Sequence, residues 1–141
     1  MADIRKLNHV AVVVPDIEAA LAFWRDGLGL RPSGTKDVPA QKSRIAFLPV
    51  DGAEIELVQP TDDGSGPAKF LSRRGPGLHH ICLETPDLDG LIARLKAKGV
   101  RLTSDAPQAG ADGRRMIFVH PESAGGVLVE LYESGEFAEK P

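Results

Sequence analysis

Four residues stand out for the chemistry their types and spacing could support. His9 and His80 each follow a neutral residue at the start of a β-branched or apolar run, Val10-Ala11-Val12-Val13-Val14 in one case and Ile81-Cys82-Leu83 in the other. Glu56 and Glu130 each sit inside an otherwise apolar run, Ile55-Glu56-Leu57-Val58 and Val129-Glu130-Leu131-Tyr132. A carboxylate in a buried strand is costly unless it is paired or bound to a cation. Two imidazoles and two carboxylates together form a donor set for a divalent metal. Taken singly, a histidine at a strand end is an ordinary polar residue, and a glutamate in a strand is an ordinary solvent-face residue. Their matched placement is what argues for chemistry.

That placement comes from an internal repeat. His9, Pro15 and Asp16 match His80, Pro86 and Asp87 at one constant offset, and Arg44-Ile45-Ala46-Phe47 matches Arg115-Met116-Ile117-Phe118 at the same offset. Ile55-Glu56-Leu57 matches Val129-Glu130-Leu131 at a slightly larger one. A lone unit of half this chain buries little core, so the two copies are expected to share one. Under a pseudo-two-fold relation, His9, Glu56, His80 and Glu130 can converge at the axis.

Each copy reads as strand, helix, then three strands. His9 to Val14 is a buried strand bounded by Pro15. Asp16 suits a helix N-cap, because its carboxylate can accept an orphan backbone N–H. Ile17, Ala20, Leu21 and Phe23-Trp24 give that helix an apolar stripe, and Gly27 and Gly29 end it. In the second copy Asp87 caps, Leu88, Leu91, Ile92 and Leu95 form the stripe, and Gly99 stops the helix. Residues 44–49 and 53–58 read as a hairpin around Asp51-Gly52. Residues 115–119 and 127–132 are the matching pair around Ala124-Gly125-Gly126. Thr61 to Gly66 is a loop, Pro67 is compatible with a helix start, and 68–73 forms a short helix. The expected organisation is one domain over 1–141, with modules 1–62 and 76–135 joined by linker 63–75, and a frayed tail from Gly135.

Length and composition bound the class. The chain has 141 residues, 42% apolar and 26% charged, with a formal charge of -3. Such a balance excludes fibrous and mostly disordered classes and lacks the basic excess of a nucleic-acid protein. No apolar run approaches the roughly 18 residues of a membrane span. The opening residues lead straight into strand-like sequence and predict no signal peptide. A single cysteine, Cys82, forms no internal disulfide and fits a reducing, cytoplasmic setting.

With these motifs in order, the sequence resembles the vicinal oxygen chelate superfamily, which includes glyoxalases, bleomycin-resistance proteins and dioxygenases. More closely it resembles the methylmalonyl-CoA epimerases. The resemblance rests on Leu7-Asn8-His9-Val10-Ala11, Ala46-Phe47-Leu48-Pro49, Ile55-Glu56-Leu57, Ala68-Lys69-Phe70-Leu71, Gly77-Leu78-His79-His80-Ile81, His120-Pro121 and Gly125-Gly126-Val127-Leu128-Val129-Glu130-Leu131. It implies an α+β fold of two paired βαβββ modules forming a cupped eight-stranded sheet around a metal. The implied ligands are His9, Glu56, His80 and Glu130, with Glu130 also catalytic. Cobalt(II) or manganese(II) is the implied metal; zinc(II), nickel(II) and iron(II) also accept such donors. The implied protein is a cytoplasmic homodimer acting on an acyl-CoA, with no nucleic-acid or membrane partner. The activity is inversion of C2 in methylmalonyl-CoA through an enediolate. Ethylmalonyl-CoA stands close behind, since one methylene discriminates weakly.

Departures and rivals stay open at this level. Some relatives carry a glutamate where this chain has Arg44, and an arginine is a poor general base. Arg44 either holds the substrate carboxylate or is, with Arg115, a matched solvent-face strand residue. Lys69, Arg73 and Arg74 are cations for the coenzyme A phosphates or form a solvated basic turn. Alternation turns His79 to the strand face opposite His80, and His120-Pro121 marks a loop entry. Cys82 shares the His80 face and reads as a small buried residue, while Phe23, Trp24 and Phe47 read as core. The rival functions are a glyoxalase I-type isomerase, an extradiol dioxygenase, and a metal-free small-molecule binding module.

Overall fold

The computed structural model describes residues 2–110 and 112–134. The expected frayed tail from Gly135 lies outside them. The elements run β1 (Lys6–Val13), α1 (Ile17–Leu21), β2 (Gly34–Val38), β3 (Ser43–Val50), β4 (Ala53–Pro60), α2 (Gly66–Arg74), β5 (Gly77–Thr85), α3 (Leu88–Ala97), β6 (Gln108–Ala109), β7 (Arg115–Val119) and β8 (Val129–Glu133). The class is α+β, and the order βαβββ occurs twice. No described helix is long and apolar enough to cross a membrane.

Two compact units divide the chain, one made of residues 9–79 and the other of the N-terminal residues through Asn8 together with the segment from His80 onward. This differs from a split at the linker, because the first residues belong with the C-terminal segment. There, Arg5 N donates to Glu84 O at 2.9 Å, Asn8 Nδ2 donates to Glu84 Oε2 at 2.6 Å, and Arg94 Nη2 donates to Ala2 O at 2.7 Å. The chain passes from one unit to the other between Asn8 and His9 and again between His79 and His80.

In the unit 9–79 the strands lie in the order β2-β3-β4-β1, with β4 parallel to β1 and antiparallel to β3. Asp51 and Gly52 both have positive φ, 45° and 85°. That is the backbone of a tight two-residue hairpin turn, whose twist matches the flanking strands. Asp16 caps α1 by accepting from Glu18 N at 3.1 Å. One face of the strands packs on α1 through Val14, Ile17, Leu21, Ala46, Leu48 and Leu57, all buried. After Leu21 the helix widens into a π-helical turn, Ala22–Gly27, where Leu28 N donates to Phe23 O. This shift of register moves Phe23 off the apolar stripe. Phe23 is therefore 58% exposed and not core, whereas Trp24 still packs against the cluster and meets Phe23 edge to face.

The other unit repeats the plan in the order β5-β8-β7-β6. Asp87 caps α3 by accepting from Gly90 N at 3.0 Å, and Gly99 ends it with φ 80°. Leu88, Leu91, Ile92, Ile117, Val119 and Leu131 form its buried helix-facing core. The strand β8 starts at Val129, two residues later than the apolar run suggests, because Gly125 and Gly126 both take positive φ and carry the chain through a loop first. The segment read as a linker is mostly helix: α2 is capped by Ser65, which accepts from Ala68 N at 3.1 Å, with Pro67 in its first turn.

Candidate metal and acyl-CoA site

Strand alternation sends every second side chain to the face away from the helix. In the unit 9–79 that face carries His9 on β1, Glu56 and Val58 on β4, and Ile45 and Phe47 on β3. Register sets Glu56 beside Ala11 and beside Phe47. His9 Nδ1 lies 3.2 Å from Glu56 Oε2, and the two residues are 5% and 7% exposed. In the other unit the helix-free face carries His80, Cys82 and Glu84 on β5, Glu130 and Tyr132 on β8, and Met116 and Phe118 on β7. Register sets Glu130 beside Cys82 and beside Phe118. His80 Nε2 lies 3.0 Å from Glu130 Oε1, with Glu130 buried and His80 partly buried, and the His80 ring meets Phe118 edge to face at 5.3 Å.

The repeat is therefore chemical as well as topological. Each unit holds one imidazole–carboxylate pair whose carboxylate is buried, and each carboxylate has a phenylalanine as its cross-strand neighbour. This explains why Phe47 and Phe118 recur in the sequence. Phe47 is half-buried beside Glu56 rather than in the core against α1. Nitrogen and oxygen donors of this kind, held in apolar surroundings, suit a divalent cation of borderline hardness. The shared burial also disfavours a lone carboxylate that has no compensating partner.

The remaining sequence candidates have definite places. Arg44 shares its strand parity with Ala46 and Leu48, the opposite parity from Phe47, and its exposed guanidinium donates from Nε to Asp37 Oδ1 at 3.1 Å. Its repeat mate Arg115 bonds Asp89 and Glu133. The hydrogen bond from Arg115 holds the Asp89 carboxyl below its ordinary pKa. Lys69 and Arg73 are exposed on α2 and line a cleft of about 250 Å³ with Asp63, Ala68 and Ser72. A neighbouring cleft of about 400 Å³ lies among Pro15, Pro60, Thr61, Asp62 and Leu71. Neither cleft includes a member of the two histidine–glutamate pairs. The Arg74 guanidinium sits over the Phe70 ring, and His79 packs edge to face on the same ring at 5.1 Å. His120 Nδ1 accepts from Glu122 N at 3.1 Å and so caps a short 3₁₀ turn. Cys82 is fully buried against Met116 and Tyr132.

Sequence reasoning missed one group near Glu130. The Tyr132 hydroxyl donates to Asp112, Arg114 Nε pairs with Asp112 Oδ2 at 2.9 Å, and the Arg114 guanidinium lies 5.5 Å from the Tyr132 ring centre. Burial first, and the bond to Asp112 second, raise the phenol's pKa well above the ordinary tyrosine value. The available signal was the position of Tyr132, two residues beyond Glu130 on the same strand face.

Residues 8–118 match the model of the Glyoxalase/Bleomycin resistance protein/Dioxygenase superfamily. The chain belongs to this superfamily. Among its members, an ethylmalonyl-CoA/methylmalonyl-CoA epimerase of Cereibacter sphaeroides is 42% identical over 91% of this chain and 97% of its own length. The mitochondrial methylmalonyl-CoA epimerase of Mus musculus is 38% identical over 92% of this chain and 73% of its own length. A Streptomyces coelicolor methylmalonyl-CoA epimerase solved in complex with 2-nitronate-propionyl-CoA superposes with a TM-score of 0.86 at 32% identity, covering 92% of this chain and 97% of that one. Within the superfamily the chain falls in the methylmalonyl-CoA epimerase family.

Proposed function

We propose that this chain inverts C2 of methylmalonyl-CoA, and that His9, Glu56, His80 and Glu130 together hold one divalent cation, cobalt(II) or manganese(II). The observation that carries this reading is the duplicated pair with its buried carboxylate, His9–Glu56 at 3.2 Å and His80–Glu130 at 3.0 Å. Family membership supplies the substrate class. When bound, the cation would stabilise the negative charge that develops on the substrate oxygens as the C2 proton leaves.

The chain's own residues do the rest. Inversion requires a proton to leave one face of C2 and another to arrive on the opposite face, so two acid/base groups are needed. Glu130 is one of them. Glu56 is its repeat equivalent, with a histidine partner and a phenylalanine neighbour of its own, His9 and Phe47, and it takes the second role that Arg44 cannot fill. Phe47 and Phe118 keep water away from the carboxylates, which favours transfer to and from carbon over exchange with solvent. Lys69 and Arg73 meet the coenzyme A phosphates by charge-assisted contacts. The active form is a cytoplasmic homodimer.

The test is deuterium uptake. One C2 epimer of methylmalonyl-CoA is incubated in heavy water with metal-replete protein, beside a chelator-treated control. Metal-dependent deuteration at C2 with appearance of the other epimer is expected. Absence of exchange above the control overturns the assignment. Glu56→Gln and Glu130→Gln then separate the two proton-transfer roles. Each variant is expected to retain exchange from one epimer while losing inversion, and a Glu56→Gln variant that still inverts removes Glu56 from the mechanism.

A further inference from the structure

Tyr132 is the place where the repeat breaks. The residue two beyond Glu56 is Val58, and the residue two beyond Glu130 is Tyr132. Both are buried on the helix-free face. The tyrosine has a second segment folded onto it. Its hydroxyl bonds Asp112, and Arg114 pairs with Asp112 while stacking over the ring. Gly110 approaches so closely that a Cβ there would meet Tyr132 Cε1 at 2.7 Å. The turn is closed on itself by Gly110 N donating to Arg114 O at 2.7 Å. Three groups of one turn thus converge on a single side chain.

An anchor needed only for the fold could sit on the other face, where α3 already supplies an apolar core. This one instead stands beside the proton-transfer carboxylate. Two residues along a strand span about 6.6 Å. That distance accommodates a carbon within reach of Glu130 and a short alkyl group beyond it. The next side chain on that face is the Tyr132 ring, which clusters with Met116 and Cys82.

The structure assigns to Tyr132 the role of a specificity-determining positioning residue: by tying the Gly110–Asp112–Arg114 turn to β8, it sets the size of the C2 substituent that the site accepts. This rests on the epimerase reading above. The hydroxyl holds the turn, and the ring is the wall. The two contributions separate in Tyr132→Phe, which keeps the ring and loses the bond to Asp112, and in Tyr132→Ala, which loses both.

The experiment compares the metal-replete wild type with both variants on methylmalonyl-CoA and ethylmalonyl-CoA, and follows amide hydrogen exchange at Gly110 and residues 112–114. Tyr132→Ala is expected to shift kcat/KM toward the ethyl substrate by about tenfold, the scale of one methylene in a pocket. Tyr132→Phe is expected to raise KM severalfold with little change in kcat, and to speed exchange in the turn. Should Tyr132→Ala fail to fold, Tyr132→Phe alone decides: an unchanged KM together with unchanged exchange overturns the proposal. If both variants fold and the substrate preference stays constant, the specificity role is overturned. A wild type that never exchanges the C2 proton removes the epimerase reading instead, and the specificity role falls with it. The amide exchange of Tyr132→Phe then still decides whether the phenol holds the turn.

Discussion

Replacing Glu130 with Gln changes one oxygen to an amide without altering shape, yet it should act differently with and without metal. Glu130 is 5% exposed and its Oε1 lies 3.0 Å from His80 Nε2. A hydrogen bond involving a charged group contributes about 1.5–3 kcal/mol and a neutral one about 0.5–1.5 kcal/mol. Chelator-treated Glu130→Gln should therefore be less stable than wild type by about 1 kcal/mol, or about 4 °C in Tm for a chain of this size. Metal enlarges the gap by mass action. A cation present at a hundred times its Kd adds about 2.7 kcal/mol to the wild type. If the amide weakens binding about a hundredfold, the same concentration adds only about 0.4 kcal/mol to the variant. The difference then grows to about 3 kcal/mol, or more than 10 °C. The assay is a pair of thermal melts for each protein, one with chelator and one with manganese(II), with Glu56→Gln as the symmetric comparison. A wild type that gains nothing from the metal, or a Glu130→Gln variant that gains as much as wild type, refutes the reasoning.

Three further outcomes follow from the same geometry. Arg44→Ala removes an exposed pair with Asp37, so stability should change by no more than about 0.5 kcal/mol, and KM for the acyl-CoA should hold; a large rise in KM would return Arg44 to the substrate. Leu57→Ala empties a fully buried position under α1 and should cost about 2–5 kcal/mol in denaturant unfolding, with loss below 1 kcal/mol contradicting the packing. Tyr132, the single tyrosine, binds its proton more tightly in the folded chain than in the unfolded one. Its contribution is therefore complete below the ordinary tyrosine pKa and is lost as pH rises beyond it. Tyrosinate absorbance should appear only with unfolding, and Asp112→Asn should bring it to lower pH; early titration in the wild type would contradict the buried bond.

The helix caps, the Asp51-Gly52 turn and the matched placement of His9, Glu56, His80 and Glu130 were legible because each rests on local chemistry or on the internal repeat. Asp16 and Asp87 cap by the same side-chain geometry, and Asp51-Gly52 permits the two positive φ values the turn requires. Phe23 was not legible, because a π-helical turn shifts the stripe by a residue and nothing in Ala22-Phe23-Trp24 announces that. Phe47 was misplaced for a related reason: apolarity does not tell which face of a strand a ring occupies, and only the register opposite Glu56 does. The edge strands β2 and β6 were not placed either. Gly34–Val38 is polar and mostly exposed, and Gln108–Ala109 is too short to show a period. The Tyr132–Asp112–Arg114 group depends on a turn that meets β8 from a distant part of the sequence, so composition gave no sign of it.

The unit that holds His80 and Glu130 takes its first residues from the beginning of the chain and the remainder from the end. During synthesis, residues 2–8 leave the ribosome before any of their partners exist. At about 5–20 residues per second they wait several seconds, on the order of the time needed to make the whole unit 9–79. The earlier unit can complete its own contacts in that interval, while Arg5 and Asn8 stay without Glu84. The chain carries a separate reporter for each stage: Trp24, its single tryptophan, lies in the unit that can form first, and Tyr132 lies in the unit that must wait for the segment from His80 onward. Refolding followed through the two chromophores should show the tryptophan signal settling ahead of the tyrosine signal, with truncation of the first eight residues slowing only the latter.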